Sequence, residues 1–262
     1  MKNLLRSISA EILKTKNSKV AWVPFIAFLL GPVMGGVFMI IMGDPELAAK
    51  SSSLQAKAQY MSIEANWTSY LGILCQVIAV GGIMVFGFVI SWIFGREYSD
   101  GTAKDLLALP VGRMNIINAK FIVYIIWSLA LTVSNLLTGL IIGGSLQLPG
   151  FELNIFYESM ETYFGTAFLV ILIGSPVAFF ALSGKGYLTP LGFVALTLVF
   201  AQVIAATGHG NYFPWSVPGL FSNIAANSRD QLSFISYFIL LFISFTGYAA
   251  TLLWWKYADQ HK

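Results

Sequence analysis

Six charged side chains, Arg96, Glu97, Asp100, Lys104, Asp105 and Arg113, crowd into the stretch Phe94–Arg113 of a chain in which only 10% of residues are charged. Acids and bases so interleaved suit ion pairing with a partner, not bond breaking. The two histidines, His209 and His261, have no companion at metal-ligand spacing, and no nucleophile stands with a base. Gly184-Lys185 resembles the end of a phosphate-binding loop, yet the earlier glycine would fall on Phe179, and Gly186 stands where Ser or Thr is needed. Catalysis and nucleotide binding are therefore assigned to another polypeptide, and no cofactor or metal is expected on this one.

The elements that must position the island lie in lipid. Hydrophobic residues make up 57% of the 262 positions and aromatics 15%, far from the roughly 25% charged content of soluble domains. The sequence predicts an all-α integral membrane protein, one transmembrane domain over 1–262 with six spans at about 20–42, 69–94, 121–146, 162–182, 188–206 and 232–254. Residues 1–19 read as an amphipathic interfacial helix, with Leu4, Leu5, Ile8, Ile12 and Leu13 at helical spacing beside Lys2, Arg6, Lys14, Lys16, Lys19 and one acid, Glu11. The long apolar run that follows, with no small-residue cleavage site, reads as a permanent span and not a cleavable signal. Cys75 stands alone, which excludes an internal disulfide. A polar outer loop with some helix around 47–65 is expected, and a Gly-, Pro- and aromatic-rich segment, 207–231, that rests at the outer interface or dips back into the membrane.

Orientation follows from the bases. With both termini in the cytoplasm, Lys2, Arg6, Lys14, Lys16, Lys19, Arg96, Lys104, Arg113, Lys120, Lys185, Lys256 and Lys262 lie inside, leaving only Lys50, Lys57 and Arg229 of the 15 bases outside. The spans carry essentially no ionisable group at membrane depth, which disfavours an ion-coupled carrier. Within the cytoplasmic segment 95–118, Thr102 can cap a helix starting at Ala103, with Asp105 as its capping-box partner, and Pro110 ends it. Leu106, Leu107 and Leu109 could then fill a groove on a partner while Arg96, Glu97, Lys104 and Arg113 set its orientation. A capped loop with solvated charges is the plainer reading of the same residues.

The stretch Gly95-Arg-Glu-Tyr-Ser-Asp-Gly-Thr-Ala-Lys-Asp-Leu-Leu-Ala-Leu-Pro-Val-Gly-Arg113, followed by Ala119 and Lys120, resembles the segment between the second and third spans of type-2 ATP-binding-cassette (ABC) exporter permeases. It is most similar to the bacitracin-resistance, lantibiotic-immunity and peptide-toxin export type. The resemblance implies an exporter permease of the bacterial plasma membrane, dimeric with a second permease copy, seated on two copies of a cytoplasmic ABC ATPase that binds ATP and Mg. It makes the island the coupling helix, with Arg96, Glu97, Asp100, Gly101, Thr102, Lys104, Leu106, Leu107, Pro110 and Arg113 as the coupling residues. Gly31 and Gly35 form a small-xxx-small pair that permits close approach by another helix, in this chain or in a second copy; the resemblance also brings the N-terminal helix to the ATPase and the first and fifth spans together across the dimer, which offers that pair a place there. Amphipathic or hydrophobic cargo, such as antimicrobial or toxin peptides, is implied, and no nucleic-acid partner. An ATP-independent channel or secondary carrier, or a peptide-binding immunity protein, is the alternative. Gln76, Asn135 and Gln202 could line a translocation path, although hydrogen bonding between helices accounts for them more simply.

Overall fold

Six helices, each long and apolar enough to cross a bilayer, dominate the computed structural model, which describes residues 2–44, 64–103, 106, 112–222 and 232–257. The spans are Lys19–Gly43, Trp67–Ser99, Arg113–Ser145, Leu153–Ser183, Leu188–Ala206 and Phe234–Tyr257, preceded by an N-terminal helix, Lys2–Lys16. No strand occurs among the described residues.

Three spans outrun their expected limits, the fourth by starting at Leu153 and not near 162. The second continues through Arg96 and Glu97 to Ser99, and the third starts at Arg113, so each has 33 residues, about 50 Å of helix. A hydrocarbon core is about 30 Å thick, so their ends stand clear of it. Charge ends a membrane-compatible run without ending the helix, because backbone hydrogen bonding is indifferent to side-chain polarity outside lipid. Asn66 starts the second span by accepting a hydrogen bond from the Ser69 amide at 2.9 Å.

The second and fourth spans are the most enclosed of the six and the fifth the least. Tyr70, Leu74, Ile78, Val89, Ile90 and Ile93 of the second span are fully buried and form the axis of the core. A π-helical turn, Val77–Gly81, interrupts this span near its middle. The fourth breaks at Gly174, where Ser175 Oγ donates to the Ser244 carbonyl of the sixth span at 2.6 Å. That break is locked by packing, since a Cβ on Gly247 would lie 2.5 Å from the Pro176 nitrogen.

Beyond the fifth span, the chain returns toward the bundle. Residues 210–212 form a turn of 3-10 helix and Val217–Phe221 a short helix, with Trp215, Val217 and Leu220 buried. Ser216 Oγ donates to the Ala201 carbonyl at 3.0 Å, and Trp215 meets the Phe193 ring at 5.4 Å. The expected outer-loop helix near 47–65 falls almost entirely outside the described residues.

Candidate functional site

The root of the island is built by a C-terminal cap. The second span ends with Asp100 as its cap residue and Gly101 at φ +71°, a backbone that glycine adopts without strain. The Gly101 amide donates to the Tyr98 carbonyl and the Thr102 amide to the Glu97 carbonyl at 2.8 Å, the paired bonds of a Schellman motif. The next turn begins at once, with the Leu106 amide donating to the Thr102 carbonyl at 3.1 Å. Asp-Gly-Thr thus stops one helix and turns the chain into another. Lys104, Asp105, Leu107, Leu109 and Pro110 lie outside the described residues.

Inside this cap sits a buried ion cluster. Glu97 and Glu11 face three cations: Arg96, Lys120 and Lys14. Lys120 Nζ donates to Glu97 Oε2 at 2.7 Å, to the Ile93 carbonyl at 2.7 Å and to Glu11 Oε2 at 3.4 Å. Arg96 donates through Nη2 to Glu11 and through Nε to Glu97 Oε1 at 3.4 Å. Lys14 reaches Glu11 at 3.3 Å and Glu97 at 3.4 Å from a side chain that is 43% exposed, whereas the other four are almost fully buried. The guanidinium of Arg96 also lies 4.7 Å from the Trp92 ring.

Three elements meet here. The N-terminal helix contributes Glu11 and Lys14, the second span Arg96 and Glu97, and the third Lys120. Ions buried this deeply are costly alone, so each depends on the others for compensation. The cluster fixes the relative position of three helices at the point where the island leaves the bundle. The turn between the fourth and fifth spans closes the other side, since a Cβ on Gly95 would lie 2.9 Å from the Gly186 carbonyl. Burial against this site raises the phenol of Tyr187 above its ordinary pKa.

This placement corrects several expectations. Arg96 and Glu97, expected to face a partner, turn inward because Glu11 and Lys120 supply counter-charges within the chain. Leu106, expected to fill a partner's groove, is buried beside Arg6, Ser7, Ala10 and Ile116. Asp100, Gly101, Thr102 and Arg113 remain exposed, and Arg113 Nη1 donates to the Lys256 carbonyl at 3.1 Å, tying the third span to the end of the sixth. Of the two partners open to Gly31 and Gly35, the structure shows a helix of this chain, the second span. A Cβ on Gly31 would overlap Val77, and one on Gly35 would lie 3.1 Å from Ile73.

The intramembrane amides separate. Asn135 is fully buried, donates to the Phe28 carbonyl at 2.8 Å and accepts from the Tyr163 hydroxyl at 3.0 Å, so it joins the first, third and fourth spans, as the hydrogen-bonding reading expects. Gln76 is half-buried at the start of the π turn, and Gln202 is exposed on the fifth span. Among the described residues, no three His, Cys, Asp or Glu side chains gather as a metal set.

Sequence reasoning used Glu11 only as the exception in a basic helix and Lys120 only as an inner base at the end of the motif. Each was nevertheless signalled. Glu11 is the one acid between Met1 and Met42, and Lys120 is the one charge between Arg113 and Glu152. An isolated charge next to an apolar run needs a partner.

The chain belongs to the ABC-2 family of transporter proteins, whose profile matches residues 7–203. The chain is accordingly a multi-pass membrane permease. A curated relative is the bacitracin transport permease protein BCRB of Bacillus licheniformis. It is 25% identical over 208 residues, which cover 78% of this chain and 99% of that protein.

Proposed function

We propose that this chain is the membrane subunit of an ATP-driven exporter that moves amphipathic or hydrophobic peptides, with ATP hydrolysed on a separate cytoplasmic ABC subunit. The observation that carries the reading is the ion cluster, which joins the root of the island to the N-terminal helix and the third span through Glu11, Glu97 and Lys120. A push delivered to the island from outside the bundle would reach three helices at once. The charge distribution supports cytoplasmic termini in a bacterial plasma membrane, the side on which an ATPase would dock.

The exposed part of the docking surface would be Asp100, Gly101, Thr102 and Arg113, while Arg96 and Glu97 act from behind it as positioning residues. A second copy would meet the outward faces of the first and fifth spans, where Met34, Leu196 and Val199 are exposed. Gln202 lies on the fifth span, and an amide is costly in lipid, which favours a protein or cargo neighbour there. Peptide cargo is favoured by the relative's function in bacitracin transport.

Purification from native membranes in mild detergent, followed by uptake into inverted vesicles, tests the reading. The expected result is a stoichiometric ATPase chain and ATP-dependent accumulation of a labelled cationic peptide. Consistent absence of the ATPase, with accumulation that ignores ATP, would instead make the chain a carrier or channel.

A further inference from the structure

A crevice of about 480 Å³ lies where the N-terminal helix turns into the first span, walled by that turn and by the third span. Its walls include Trp22, Phe25, Val123, Ile126, Trp127 and Ala130, and at its mouth stand Thr15 and Lys16 of the N-terminal helix. The volume falls within the roughly 300–1,000 Å³ of small-molecule sites. Trp22, at 66% exposed, and Ile126 open it sideways at the depth where the N-terminal helix meets the bundle.

We infer that this crevice binds one anionic phospholipid, its acyl chain along Phe25, Val123 and Ile126 and its phosphate at Lys16. Charge complementarity identifies the occupant. No acid lines the crevice, and Glu11, the one acid of the N-terminal helix, is buried in the ion cluster. Lys16 lines the mouth and is its one cation. Trp22 at the lip suits the headgroup level, where indole rings collect. Thr15 uses its hydroxyl on the Glu11 carbonyl at 2.9 Å and leaves the phosphate to Lys16.

A second crevice supplies the contrast. Between the third, fourth and sixth spans lies a space of about 330 Å³ whose lining includes Phe121, Ile125, Leu241 and Phe245 and carries no charged residue. It should accept acyl chains without regard to headgroup. Of these two crevices, the one beneath the N-terminal helix combines chain-sized apolar walls with a cation at the mouth.

The test uses the full-length chain in phosphatidylcholine vesicles containing a trace of a lipid with a photoactivatable diazirine on its acyl chain, either phosphatidylglycerol or phosphatidylcholine. After irradiation, peptide mass spectrometry locates the adducts. The phosphatidylglycerol probe is expected to label the segments around Phe25 and Val123–Ala130 about fivefold more than the phosphatidylcholine probe, as one lysine near a membrane surface provides. Lys16→Gln should abolish that preference, Lys16→Arg should retain it, and Ala130→Trp should remove labelling there while leaving it at Phe121 and Leu241. Equal labelling by both probes, a preference that survives Lys16→Gln, or the same preference in the second crevice would overturn the inference. A cationic peptide that displaces the probe more effectively than unlabelled phosphatidylglycerol would also overturn it, by making the crevice a cargo site. The assay contains neither ATP nor a partner subunit, so its failure would leave the proposed transport function standing.

Discussion

Two knots hold the third span, and they are made differently. At the island end, Lys120 joins three elements through full charges on Glu97 and Glu11. At mid-bundle, Asn135 joins three spans through neutral bonds to Phe28 and Tyr163. A neutral interhelical hydrogen bond in a membrane protein averages about 0.6 kcal/mol and reaches about 1.7. Removing one member of a buried ion group costs about 3–5 kcal/mol, because the rest are left uncompensated. The middle is therefore held chiefly by packing, whereas the base depends on charge balance. A docking partner that brings or withdraws charge can act on the base and has no comparable hold on the middle.

Breaking the charged knot should have the largest effect. Lys120→Met removes the 2.7 Å partner of Glu97 and leaves that buried carboxylate to Arg96 and Lys14 at 3.4 Å, with an expected loss of about 3–5 kcal/mol in detergent unfolding; the double change Glu97→Gln with Lys120→Met should recover much of it. Gly247→Val comes next, since the new side chain would press on the Pro176 backbone. Overpacking of this kind costs about 1–3 kcal/mol, and it tests whether packing rules the middle. Asn135→Leu should cost less, about 0.6–1.7 kcal/mol, with uptake retained. A larger loss there would erase the distinction between the two knots. Arg113→Gln, which removes an exposed bond to the Lys256 carbonyl, should stay within about 0.5 kcal/mol in stability.

The six spans were legible because apolar runs bounded by charge are an unambiguous signal, and the helix start at Thr102 was legible because threonine caps well, whereas the stop at Gly101 escaped because the second span was expected to end near 94. The direction of the charges was not legible either. Local pattern puts Arg96 and Glu97 beside the island, but only the long-range approach of Glu11, 85 positions from Arg96, turns them inward. Leu106 was misread for the same reason, as its groove is supplied by the N-terminal helix of its own chain. Gly31 and Gly35 announced a close helix approach correctly, while the identity of the approaching helix, the second span, depended on packing that no local pattern records.

The central claim is that charge pairing at the base couples the island to the spans, and exchanging Glu97 and Lys120 tests it most directly. ATP-dependent peptide uptake would be measured with Glu97→Lys, with Lys120→Glu and with both, in vesicles where the ATPase subunit is shown to remain bound. Each single change should reduce uptake at least tenfold, about 1.4 kcal/mol of coupling, and the double change should restore a substantial part. Single variants that transport like the unaltered chain, or a double variant no better than either, would contradict the account.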